Sequence, residues 1–124
     1  MNGFITLKLR NRTTDELTIF DYDINLFSHV VRLMIDDLSH CIKTNDPYDI
    51  WLEWTNTPPV DVYKKCCLQV DIIEKDFDIH HTYNLYLQND DIMRNLQLML
   101  FSIVNDSEID FKNKKNLVWE VLTW

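Results

Sequence analysis

Residues 4–43 read FITLKLRNRTTDELTIFDYDINLFSHVVRLMIDDLSHCIK, and one change of hydrophobic period inside this stretch decides the fold class. From Phe4 to Arg10 the side chains alternate, with Ile5, Leu7 and Leu9 on one side and Thr6, Lys8 and Arg10 on the other. Alternation marks a strand buried on one face. Asn11–Glu16 is a polar turn and Leu17–Tyr22 a second strand, so a hairpin is expected. The period then lengthens. With Asp23 or Asn25 as cap and about 100° per residue, Phe27, Val30, Val31, Met34, Ile35, Leu38, Cys41 and Ile42 fall on one arc of a helix reaching about Lys43. Ser28, His29, Arg32, Asp36, Ser39, His40 and Lys43 take the opposite arc.

The rest of the chain follows the same two periods. Asn45-Asp46-Pro47 ends the helix, Tyr48–Trp54 reads as a strand, and Thr55–Asp61, with Pro58-Pro59, as a loop. Two further strands, Cys66–Glu74 and Ile79–Gln88, flank the acidic turn Lys75-Asp76-Phe77-Asp78. Asn89-Asp90 caps a second helix to about Val104, with Ile92, Met93, Leu96, Met99, Leu100, Ile103 and Val104 inward. Asn116–Trp124 closes the chain as a strand, and no internal repeat or low-complexity segment is read. The expected fold is α+β in one domain over residues 1–124, in the order β-β-α-β-β-β-α-β. Its strands should form a single, mainly antiparallel sheet with both amphipathic helices on one face.

Composition removes whole classes of function. The chain has one glycine, Gly3, and no alanine. Loops that cradle phosphate and strained nucleophile turns need glycine where backbone N–H groups must approach a ligand. Phosphate-loop, dinucleotide and G-x-S-x-G sites are therefore excluded. Net charge is −8, from 20 acidic and 12 basic residues. Such a chain repels nucleic acid and anionic membrane and attracts basic partners. Neither a signal peptide nor a membrane span is read, and Cys41, Cys66 and Cys67 are an odd set, so a cytoplasmic protein with reduced thiols is expected.

Candidate chemistry is sparse. His80 and His81 are neighbours in a strand and point to opposite faces, so they cannot share an ion. His29 and His40 lie about three turns apart on a polar helix face. No carboxylate pair, serine or cysteine has an activating context, so no metal, no cofactor and no enzymatic activity are expected.

Acidic clusters and misplaced apolar residues are the remaining signals. Asp36-Asp37 sits on the first helix, and Asp71, Glu74, Asp76 and Asp78 surround a hairpin turn. Asp90-Asp91 opens the second helix, where acids satisfy free N–H groups. The hairpin acids suit either simple solvation or a partner surface. Leu98 and Phe101 lie off the inward arc of the second helix, Trp51 points away from Ile50, Leu52 and Trp54, and Trp119 and Trp124 fall on opposite faces of the last strand. Such residues are covered by a loop or a second copy, or they anchor a partner.

In size, acidity, Asp-rich patches such as Asp71/Glu74/Asp76/Asp78, and the Asn-, Asp-, Ile- and Leu-rich usage of an AT-rich gene, the chain resembles the small acidic immunity proteins that bacteria carry beside nuclease toxins. These include contact-dependent inhibition and related polymorphic toxin systems. The resemblance is one of type, spans the whole chain and brings no motif. It implies a tight one-to-one complex with a basic toxin domain, a nuclease in the simplest case, with no direct nucleic-acid or membrane contact and a monomer or weak dimer when free. The contact residues expected are Asp71, Glu74, Asp76, Asp78, Asp36, Asp37, Trp51, Leu98, Phe101 and Trp124. A mobile-element inhibitor of a nucleic-acid-binding complex, an assembly subunit and an enzyme with a pocket are the alternatives.

Overall fold

A computed structural model describes residues 4–23, 27–42, 46–55, 67–86, 92–111 and 113–123, with the side chains of Phe27 and Lys114 left aside. The expected caps at Asn25 and Asn89-Asp90, the Pro58-Pro59 loop, Cys66, Asp91 and Trp124 lie outside these residues. Chain order is β1 (Phe4–Asn11), β2 (Leu17–Asp23), α1 (Phe27–Cys41), β3 (Tyr48–Thr55), β4 (Cys67–Glu74), β5 (Ile79–Tyr86), α2 (Ile92–Val104), a 3-10 turn (Lys114–Asn116) and β6 (Leu117–Thr123). The fold is α+β.

The single sheet expected from the sequence is replaced by two. The first has strand order β2-β1-β3 and the second β5-β4-β6, and every pairing is antiparallel. The cause is visible at the outer edge of β3. Asn105 Oδ1 accepts from Tyr48 N–H at 3.0 Å, and Asn105 Nδ2 donates to Tyr48 O at 3.0 Å. Gln97 Oε1 accepts from Leu52 N–H at 3.1 Å. The amide side chains of Gln97 on α2 and of Asn105 just after it thus occupy the edge where another strand would have paired, a standard way of blunting an open edge.

Each sheet belongs to one ββαβ unit, so the topology repeats where no sequence repeat is evident. Ile5, Leu7 and Leu9 hold the register positions in β1 that Leu68, Val70 and Ile72 hold in β4, and Tyr22 in β2 corresponds to Leu85 in β5. All eight side chains are buried. The helices repeat too: Val31, Met34, Ile35 and Leu38 have the spacing of Leu96, Met99, Leu100 and Ile103, and all are buried. What recurs is the burial pattern and not the residues.

The helices join the two units. Helix α2 lies against β3 and β5, and α1 lies against β6. Tyr22 Oη on β2 donates to Asp37 Oδ2 on α1 at 2.6 Å, and Trp119 Nε1 on β6 donates to Asp36 Oδ1 at 2.6 Å. Burial pushes the Tyr22 phenol up, and its bond to the Asp37 carboxylate adds to this. One core fills the space between sheets and helices. Ile109 and Phe111 join it from the stretch between α2 and β6, where no inward residue is expected from sequence. Ser39, placed on the polar arc by periodicity, is buried, and its hydroxyl donates to Asp36 O at 2.7 Å. No helix among the described residues is long and apolar enough to cross a membrane.

Replacing Asn105 by Leu keeps volume but orphans both backbone groups of Tyr48. Losing such partners costs about 1–3 kcal/mol. The expected outcome is a lowered urea midpoint at unchanged m-value, with Gln97→Met milder because it orphans one group only.

Candidate partner-binding surface

Strand alternation sends Cys67, Gln69, Asp71 and Ile73 of β4 to the outer face of the second sheet. His80, Thr82, Asn84 and Tyr86 of β5 and Val118, Glu120 and Leu122 of β6 share that face. These outward positions hold no lysine or arginine. Asp71 stands directly opposite Glu120 in the β4–β6 register. Like charges across strands are destabilising by roughly 0.2–1 kcal/mol. Around them Val118, Leu122 and Tyr86 are exposed.

The outer face of the first sheet is built differently. Lys8 Nζ meets Glu53 Oε1 at 3.1 Å and Arg10 Nη2 meets Asp49 Oδ2 at 2.8 Å. The Arg10 guanidinium also lies over the Trp51 ring, 5.4 Å from its centre. Trp51 is outward as expected, but a cation of its own chain covers it. Glu53 and Asp49 of β3 thus find their cations in the neighbouring strand.

Turn chemistry shapes one end of the acidic face. Asp78 adopts φ of 51°, in the left-handed region that Asp tolerates, and Asp15 does the same in the first hairpin with φ of 62°. Asp76 N–H donates to Asn116 Oδ1 at 2.8 Å and Lys75 N–H to Asn116 O at 2.9 Å, which ties the turn to the start of β6. Between Asp76 and Asp78 the Phe77 side chain is 75 % exposed at the apex.

The imidazole of His80 sits between two carboxylates of this surface. Its Nδ1 lies 2.8 Å from Asp71 Oδ2 and its Nε2 3.1 Å from Asp78 Oδ1. Thr82 Oγ1 donates to the other Asp71 oxygen at 3.1 Å. The bond to Asp71, then that to Asp78, holds the His80 pKa above its usual 6.5, against a smaller opposing effect of burial. Asp71 is held in place with 14 % of its side chain exposed, while Asp78 is 89 % exposed.

The residues expected at a partner contact separate into several groups. Asp71, Asp76 and Asp78 come together at the hairpin end of the second sheet. Glu74 does not join them, because its side chain points inward, 11 % exposed, with Oε2 at 3.4 Å from His81 Nε2. Asp36 and Asp37 lie on α1 and accept from Trp119 and Tyr22, so both work inside the molecule. Leu98 and Phe101 are exposed on α2, away from the acidic hairpin in sequence, and Trp51 is on the other sheet. Sequence reading passed over Phe77, His80, Tyr86, Val118, Glu120 and Leu122. The alternation of β6 marks three of them as outward.

His81 faces inward near Glu74 and Asp106, and Tyr83 Oη donates to Asp106 Oδ2. Burial, followed by that bond, raises the Tyr83 pKa. Among the described residues no group of three or more His, Cys, Asp or Glu side chains is placed to hold a metal ion. Compared with family models, curated proteins and solved structures, the chain matches none.

For His80 the raised pKa means that the protonated form is favoured on folding. Its contribution is complete below about pH 6.5 and fades as pH rises through the raised value. An NMR titration of the His80 ring is expected to give a midpoint above 6.5. Asp71→Asn should lower that midpoint more than Asp78→Asn.

Proposed function

We propose that this chain is a binding protein that captures a basic protein domain, and that it acts as an immunity protein neutralising a basic toxin, most simply a nuclease. The observation that carries this reading is the outer face of the second sheet. Asp71 faces Glu120 there with no lysine or arginine at any outward strand position, while exposed Val118, Leu122 and Tyr86 surround them. On the first sheet Asp49 and Glu53 each meet a lysine or arginine, whereas on the second a single imidazole, His80, serves both Asp71 and Asp78. A face that keeps like charges opposed is suited to cations supplied from outside.

Nuclease domains expose cations because they must neutralise phosphate, so a carboxylate face of this kind complements them. Carboxylates act at long range and raise the rate of encounter. Phe77 and Tyr86 supply the aromatic area that commonly dominates interface energy once the partners touch. The net charge of −8 works in the same direction.

The test is co-expression with the C-terminal domain encoded immediately upstream, tagged and purified. The expected outcome is a one-to-one complex, with toxicity of that domain only when this chain is missing. Asp76→Lys/Glu120→Lys should slow association roughly tenfold or more at low salt and flatten its salt dependence. A harmless domain that brings nothing down would overturn the reading.

A further inference from the structure

Between β5 and α2 runs a groove of about 500 Å³. Thr82, Asn84 and Tyr86 form one wall, Asn95, Leu98 and Ser102 the other, and Met99 lies at the base. β5 is an edge strand of its sheet. Lys75 N–H bonds to Asn116 O, so odd-numbered residues of β4 direct their backbone groups to β6 and even-numbered ones direct theirs to β5. The β5 residues bonded to β4 are then His81, Tyr83 and Leu85. The N–H and C=O groups of Thr82, Asn84 and Tyr86 point the other way, along the groove.

A groove of about 470 Å³ also opens in the first half, beside Thr18, His40 and Cys41, but the two halves differ where Tyr22 stands. The Tyr22 hydroxyl bonds to Asp37 and closes the seam between β2 and α1. Leu85 and Ser102 hold the corresponding positions in the second half. Leu85 has no hydroxyl to give, and the Ser102 hydroxyl donates to Leu98 O within its own helix at 2.9 Å. The edge of β3, by contrast, is already occupied by Gln97 and Asn105.

We infer that this groove receives an extended, cationic segment of the basic partner, added as a fourth strand beside β5. The inference rests on the proposed capture of a basic domain and names how that domain engages. Backbone pairing along Thr82, Asn84 and Tyr86 supplies affinity, as in other strand additions. Leu98, 53 % exposed, receives an apolar side chain. Charge sets the occupant: the new strand would prolong the acidic outer face, and a lysine or arginine at its end beside His80 would meet Asp78, the 89 % exposed acid of the adjoining β4–β5 turn.

The experiment is an NMR titration of the isotope-labelled full chain with a blocked peptide of alternating lysine and valine. A second peptide of the same sequence is N-methylated along the edge that would face β5. With the plain peptide alone, the amides of Thr82, Asn84 and Tyr86 are expected to shift and to gain exchange protection. Leu98→Arg, at an exposed position that leaves the core intact, should weaken binding about tenfold. Leu85→Tyr/Ser102→Asp rebuilds the seam of the first half and should do the same. Equal binding of both peptides, shifts confined to Asp71 and Glu120, or no shift at all would overturn the groove as the docking site. Co-purification of the upstream domain, scored separately, decides whether the wider reading falls with it.

Discussion

Two side-chain amides, one on α2 and one just past its end, determine the architecture. Backbone N–H and C=O groups at a strand edge must be satisfied, and in most sheets another strand does this. Here Asn105 pairs with both groups of Tyr48 and Gln97 with the N–H of Leu52, so β3 ends its sheet against a helix. At the other helix Tyr22 and Trp119 donate to neighbouring carboxylates of α1. Among the described residues six strands therefore divide into two sheets of three, with the helices packed against both. The apolar residues of both sheets meet in one core as a result.

That division gives the molecule two outer faces with different electrostatic character. On the first, Lys8 and Arg10 in the central strand answer the acids of β3, and Arg10 also shields Trp51. On the second, the central strand contributes Asp71 where the first has cations, and Glu120 stands beside it. His80 moderates this crowding through bonds to Asp71 and Asp78. The same backbone plan thus produces a self-neutralised surface and a surface that retains its charge. The difference lies in a few outward residues of β1 and β4.

Local patterns in the sequence revealed the elements but not their assembly. Ile5, Leu7 and Leu9 alternate, and Val31, Met34, Ile35 and Leu38 recur at helical spacing, because those periods follow from backbone geometry alone. The two hairpins, β1–β2 and β4–β5, are signalled by the polar turns between their strands, but the other strand pairings have no such local signature. The partners of β1 and β4 are set by contacts across long stretches of chain, and the decisive ones involve amides such as Asn105 that look like ordinary polar helix residues. The acidic hairpin was legible as a cluster in sequence, whereas the inward turn of Glu74 follows from its register beside Ile79 and Leu117. Asp36 and Asp37 resembled a surface patch because their donors, Trp119 and Tyr22, come from other elements.

Each helix leans on the last strand of the opposite unit: α1 on β6, and α2 on β3. A nascent chain that has completed β3 therefore holds all the residues of α1 and of the first sheet, but the strand that will shelter one flank of α1 is synthesised only after β4, β5 and α2. Nor can the second unit cap β3 until α2 exists. The two halves are consequently interlocked in time as well as in space. The final packing of each helix thus needs a strand from the other unit.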